Sequence, residues 1–230
     1  IPKKNEEIII REVYEPSAVA VIEKYIKTIG GVEALKNIKS VRAKGSAVLS
    51  EAGSEIEGDI ELIRKFPNKI SEDFNFAGVG AISEIFDGES YFVQMQLTGY
   101  QKIESDVKIA ELKLEKNFLE LIDFKKTYKQ IKFIGNFERS GARVNLIQVK
   151  DAAGNGFILA FDDVKNLLVH RSGAATEIAY EDYRKVGEYQ FPFKIMKEGT
   201  VSVEFNEIEI NTDVNDDVFS RKLSCFDKVD

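Results

Sequence analysis

Apolar and polar positions alternate with a period of two along most of the chain beyond Val41, and that period predicts strands. Runs at 46–49, 55–65, 69–76, 81–86 and 91–97 are separated by Gly, Pro, Asn or Asp-Gly signals, and Asp87-Gly88 is the clearest tight turn. Pro67 falls between two of these runs, where its missing N–H removes no ladder bond. Strands resume at 129–134, 143–150, 157–161, 167–171, 176–184, 191–196 and 201–210, and the segment from Asp151 to Gly156 turns the chain between two of them.

Two segments follow a helical period instead. Ser17 stands as an N-cap before Ala18, Val21, Ile22, Tyr25, Ile26 and Ile29, which recur at 3.6 spacing until Gly30-Gly31 ends the helix. A second short helix places Val32, Leu35 and Ile38 on one face. Further on, residues 105–124 carry Val107, Ala110, Leu114, Phe118, Leu121 and Ile122 on one stripe with Lys and Glu opposite. Residues 1–16, with Ile8, Ile9, Ile10, Arg11, Glu12, Val13 and Tyr14 before Pro16, read as an edge strand or a linker, and 17–230 as a single domain. The fold class is therefore mainly β (α+β), with ten or more antiparallel strands, two short N-terminal helices and one central helix. A sheet of that size curls, and a helix across its open side encloses an apolar cavity, as in an unclosed β-barrel with a helical lid.

Composition narrows the function classes. The 230 residues are 43% hydrophobic and 31% charged, enough for a substantial core. Phe is abundant at 16, against 8 Tyr, 2 Met and no Trp, so the core or an internal cavity is Phe-lined. A net charge of −7 with no basic block argues against nucleic acid and against anionic membrane surfaces. No apolar run reaches the roughly 20 residues needed to span a bilayer as a helix. The opening Ile1-Pro2-Lys3 is read as the product of processing that removed any targeting segment.

Catalytic motifs are sparse. With one His (His170) and one Cys (Cys225), metal-ligand spacings and an internal disulfide are excluded, and both residues read as structural. No G-x-S-x-G elbow exposes a serine. The acidic turn Asp213-Val214-Asn215-Asp216-Asp217 begins like a calcium loop, but Val218 and Ser224 stand where Gly and Glu are required. Gly78-Val79-Gly80 and Gly154-Asn155-Gly156 lack the third glycine of a nucleotide loop and open no helix. The chain reads as a non-enzyme that needs no cofactor and no metal.

An ordered set of local features then points to a family. Tyr25 before Gly30-Gly31, the Leu35/Ile38/Val41 spacing, Phe66-Pro67-Asn68-Lys69, Phe86-Asp87-Gly88, Asp182-Tyr183-Arg184, Phe191-Pro192-Phe193 and Val218-Phe219 resemble the LolA/LolB-like superfamily. More closely, they resemble the exported LolA-like domains found alone or appended to insulinase-type zinc peptidases. The resemblance covers about Ser17 to Phe219. Lys165-Asn166 replaces the family's usual Thr-Gly in the turn after Asp162, and Asn tolerates φ > 0 there. Ser220-Arg221 follows the last Phe where the family has proline. The lipoprotein carriers' functional arginine matches no single Arg here, so no ligand residue is carried over.

The resemblance implies a hydrophobic-ligand carrier, periplasmic or otherwise exported, for an acyl chain, lipid or lipidated protein. The alternative is an accessory C-terminal domain of an exported insulinase-type zinc peptidase, whose partner is another protein domain and which has no catalytic site of its own. Strand alternation and the central stripe nominate Phe74, Phe76, Val93, Met95, Leu114, Phe118, Phe157, Leu159 and Phe161 as cavity residues. Filling a dry core explains the same alternation, and the pattern leaves the two open.

Overall fold

Among the described residues fourteen strands join one sheet, in the order β1-β8-β9-β10-β11-β12-β13-β14-β2-β3-β4-β5-β6-β7. The structure, a computed structural model, describes residues 11–220 except 52, 97, 116–119 and 140. The first half of the chain comprises β1 (Val13–Tyr14), α1 (Pro16–Thr28), α2 (Val32–Lys36), β2 (Ser40–Glu51), β3 (Ser54–Lys65), β4 (Lys69–Phe76), β5 (Gly80–Phe86), β6 (Tyr91–Met95), β7 (Gly99–Ile103), α3 (Asp106–Glu115) and α4 (Phe124–Thr127). The second half is a run of strands: β8 (Gln130–Arg139), β9 (Ala142–Lys150), β10 (Gly156–Asp162), β11 (Leu168–Ser172), β12 (Glu177–Val186), β13 (Tyr189–Lys197) and β14 (Val201–Ile210), closed by a 3-10 turn at Asp216–Phe219.

Two antiparallel meanders meet where β14 pairs β2, from Val201 opposite Leu49 to Ile210 opposite Val41. The short β1 adds to β8 in parallel. Because β1 and β7 end the order without pairing each other, the curved sheet is an unclosed barrel. Curling is assisted at β14, where the register shifts between Phe205 and Glu207 opposite Gly45. A Cβ on Gly45 would lie 2.0 Å from the Glu204 carbonyl oxygen, so only glycine permits that approach.

Topology dictates where the helices go. The chain leaves β7 at one edge of the sheet and re-enters as β8 near the other, so the connection that bears α3 and α4 must cross a face of the sheet. The α1–α2 segment likewise runs from the edge strand β1 to the central β2. Both segments pack into one core: Ala18, Ile22 and Ile26 of α1, Leu35 of α2, Leu112 of α3 and Phe124 of α4 share a cluster with Ile60, Leu62, Phe74 and Phe205. That shared side is the concave face, and the helices form its lid. On β3 the alternate row carries Ile63 to the opposite face, where Ile63, Ile85, Val214 and Phe219 make a small separate cluster.

Several sequence expectations are corrected in detail. Helix α1 begins at Pro16 rather than after an N-cap at Ser17, since proline's missing N–H is one of the unpaired donors of a first turn. Glu15, in the cap position, uses its carboxylate to accept the Phe133 N–H at 2.8 Å, tying the helix entry to β8. Gly30 and Gly31 do end the helix, with φ of 140° and 84°. Val32 is exposed, unlike Leu35 and Ile38. The strand β7, polar at Gln101 and Lys102, has no alternating signal and takes the edge position that such residues suit.

The central helix departs furthest. Helix α3 spans only Asp106–Glu115, and a turn at 120–123 precedes the one-turn α4. Its buried face is also rotated: Glu111 and Leu112 are inside while Val107 is 51% exposed. The cause is tertiary, because buried carboxylates at Glu111 and Glu120 bond to distant backbone and side-chain donors and fix the segment's orientation.

Candidate functional site

One cavity lies between α1, the 120–123 turn and the concave rows of β2, β3 and β11–β14, with a volume of about 130 Å³. Helix α1 contributes Tyr25, Ile26 and Ile29, which recur at helical spacing and so share its inner face. Strands contribute Val41, Leu62, Leu168, Phe191, Phe205 and Ile208, and the lid contributes Leu121 and Ile122. The tyrosines Tyr180 and Tyr183 both reach it although three positions separate them on one strand. Between them Asp182 takes a left-handed φ of 50°, and the pairing is interrupted there, from Glu181–Lys194 to Tyr183–Pro192, without a change of register.

Few polar groups interrupt this lining, and each is held differently. Glu120, 2% exposed, accepts two parallel bonds of 2.9 Å from the Arg171 guanidinium, which is 4% exposed. The guanidinium carbon also lies 3.6 Å from the centre of the Phe157 ring. Burial disfavours the charge on Arg171, and the adjacent Glu120 carboxylate outweighs it, holding the guanidinium above its ordinary pKa. Tyr25 packs against Phe161 at 5.4 Å between ring centres. Burial first, and then the Glu120 charge, push its phenol upward, so it remains a neutral donor at physiological pH. Tyr183 donates its hydroxyl to the Leu168 carbonyl at 2.7 Å.

A second cavity of about 210 Å³ lies under α3, lined by Leu49, Phe74, Phe76, Tyr91, Leu112, Ile178 and Val201, with Lys108, Lys197 and Glu198 among its polar residues. A small void of about 20 Å³ lies between them: it shares Leu62, Arg64, Tyr180, Ile195 and Phe205 with the first cavity, and Ile178 and Lys197 with the second. The concave face thus carries a chain of apolar spaces whose partitions are side chains. Over the second cavity, Glu111 of α3 accepts the N–H groups of Ala174 and Ala175 and the Thr176 hydroxyl, the last two at 3.0 and 2.9 Å.

Of the residues nominated from sequence, Phe74 and Phe76 line the second cavity and stack on each other at 5.6 Å. Phe157, Leu159 and Phe161 are buried in the main core, the first beneath Arg171 and the last against Tyr25. Val93 and Leu114 are half-buried against that core. Met95 is 41% exposed at the end of its strand. Phe118 lies outside the described residues. None of the nominated residues that the structure describes lines the first cavity: pattern reading nominated neither its apolar lining, such as Leu62, Phe191 and Phe205, nor its polar members Arg64, Glu120, Arg171, Tyr180 and Tyr183. A signal did exist for Arg64, which continues the inward row Ile60–Leu62 and so puts a charge where the alternation demands an apolar residue.

The other sequence-flagged groups have structural partners. His170 Nε2 lies 2.8 Å from Glu177 Oε1 across the β11–β12 hairpin. Asp216 is paired with Lys65 and Lys69 at 2.7 and 3.0 Å, and those charges lower its pKa. Asn166 adopts φ 56°, as expected for its turn, while Asp162 accepts the Val164 and Lys165 N–H groups. Among the described residues no cluster of three or more His, Cys, Asp or Glu is arranged to hold a metal ion. No helix among them is long and apolar enough to cross a membrane.

An unclosed, curved sheet with a helical lid over apolar spaces defines the LolA-like fold class. Comparison with solved structures agrees at the level of fold. A DUF1329 family protein from Desulfovibrio piger superposes with a TM-score of 0.59 at 9% identity, covering 87% of this chain and 95% of that one. A LolA superfamily protein from Nitrosomonas europaea gives 0.57 at 11% identity, covering 89% and 97%. A Vibrio parahaemolyticus domain whose name refers to outer-membrane lipoprotein sorting gives 0.53 at 9% identity, covering 87% and 95%. No family model matches the sequence, and no curated protein matches it.

Proposed function

We propose that this protein is a non-enzymatic carrier that takes an acyl chain, free or on a lipid or lipidated protein, into the concave cavity beneath its lid, within the cell envelope. The observation that carries this reading is the series of apolar spaces under the helical lid, joined through shared side chains from Tyr25 and Phe191 at one end to Phe74 and Phe76 at the other. A flexible chain suits such a path, because small rotamer changes at Ile178, Tyr180 and Ile195 open one space into the next. Phe157, Leu159 and Phe161 support the cavity wall from the core. The envelope location rests on the sequence resemblance and on the fold shared with the lipoprotein-sorting domain.

At about 130 Å³ the first cavity has room for about four waters at roughly 30 Å³ each. Longer chains therefore require the partitions or the lid to shift. Native mass spectrometry of the purified protein, with lipid extraction, reports whether it arrives loaded. A series of straight-chain alcohols should then bind with affinity rising by about 0.8 kcal/mol, close to fourfold, per methylene until the path is full. A folded protein that carries no extractable lipid and shows no chain-length dependence would sink the carrier reading.

A further inference from the structure

Among the described residues, one cation on the concave face has no carboxylate partner. Arg171 is matched by Glu120, Lys197 by Glu72 and Lys108 by Glu198. Arg64 has no side-chain hydrogen bond or ion pair with any described residue, and its Nε is fully buried without a partner. Its cross-strand neighbours, Val41 on β2 and Ile70 on β4, are both buried and apolar. It lines both the first cavity and the small void beside it. A guanidinium presents five donors in a planar fork that matches an oxyanion, and leaving a donor buried and unpaired is unfavourable. Tyr25 lines the same cavity, and no described group accepts its hydroxyl. Because Glu120 and Arg171 neutralise each other, Arg64 gives this end of the cavity a net positive charge.

We propose that Arg64, assisted by the Tyr25 hydroxyl, recognises the head of the ligand, and that the ligand is an amphiphile with a single oxyanion, a carboxylate or a phosphate monoester, on an apolar chain. This inference rests on the carrier reading and specifies the chemistry of its ligand. The anion supplies the acceptor that Arg64 lacks, and the chain runs from there through the small void toward Phe74 and Phe76. Glu120 takes both terminal nitrogens of Arg171, which leaves that guanidinium only its Nε, itself buried without a partner, to offer a ligand.

The test compares dodecanoate, dodecyl phosphate and dodecanol as displacers of a neutral fluorescent probe from the full chain. At least one anion should bind about tenfold or more tightly than the alcohol, as expected of charge-assisted bonds, and the tighter anion identifies the kind of head. In Arg64→Leu, which puts an apolar side chain into an apolar row and should melt no lower than wild type, the anion-to-alcohol ratio should fall to about one. Arg64→Lys should keep part of the preference, and Lys194→Ala, on the outer surface, should keep all of it. Equal affinity of wild type for all three compounds, or an unchanged ratio in Arg64→Leu, would overturn the proposal while leaving the carrier reading in place. Failure of every compound, the alcohol included, would overturn both.

Discussion

The two helical segments over the concave face are held by different physics. Helix α1 sits on the sheet through Ala18, Ile22 and Ile26, each almost wholly buried, and makes no ion pair with it among the described residues. The crossover that bears α3 and α4 buries Leu112, Leu121, Ile122 and Phe124, and it is fixed in addition by two buried carboxylates, Glu111 on the 173–176 loop and Glu120 on Arg171. Apolar burial is non-directional and yields gradually as surfaces slide, whereas a buried bidentate pair is either made or broken. Of the two covers, the crossover is therefore the one with a discrete second position available. On the proposed carrier reading, the crossover is the part expected to open, with α1 staying in place as the wall of the cavity.

The largest expected effect comes from breaking the deeper latch. Glu120→Ala should destabilise the protein by about 3–5 kcal/mol, because it leaves Arg171 charged, buried and uncompensated. The double change Glu120→Leu with Arg171→Met should restore stability to near that of the wild type, or above it, because two desolvated charges are exchanged for packed apolar groups. Urea unfolding of the single and double variants decides the matter. If the single and double variants lose the same amount, the pair is not what holds the turn, and the contrast with α1 fails.

That difference in physics also governs what could be read from the residues in order. The α1 stripe was legible because apolar burial leaves a periodic trace in the buried segment itself. The strands were legible for the same reason, and the mainly β class, the curl and the lid follow from them. The crossover was not: its anchors are glutamates that look solvent-exposed, and their partners lie 51 and 63–65 positions away. A helix-period reading therefore ran the helix on to Phe124 and turned Val107 inward. The cavity suffered likewise. Phe74 and Phe76 carried a local signal, but the Arg171 guanidinium facing Phe157 and its pairing with Glu120 are decided by partners on other elements.

A smaller effect is expected from the apolar cover. Ile22→Ala removes a wholly buried side chain that does not line the cavity and should lower stability by about 2–4 kcal/mol, the usual range for a core truncation. The measurement that sharpens the comparison is ligand release, followed by stopped flow with the neutral probe. Ile22→Ala should leave the release rate nearly unchanged at temperatures well below its melting point, while Glu120→Ala should speed it. A faster release in Ile22→Ala would mean that α1 moves with the lid, and that the distinction between wall and cover is false.

The smallest effect is the most discriminating about charge itself. Lys113 on α3 pairs with Glu89 at 2.6 Å, but the glutamate side chain is 81% exposed and that of Lys113 44%. Both ends are hydrated, so the Coulomb gain is screened and offset by the entropy of ordering two long side chains. Lys113→Ala should therefore change stability by less than about 1 kcal/mol, and less still as salt is raised. It should leave probe release at the wild-type rate. The crossover is held by its buried carboxylates rather than by its many charges, and this substitution separates the two ideas on a single helix. A loss comparable to that of Glu120→Ala would show that the lid is held at its rim, and the opening step would then lie at the Glu89 end of α3 instead of at Arg171.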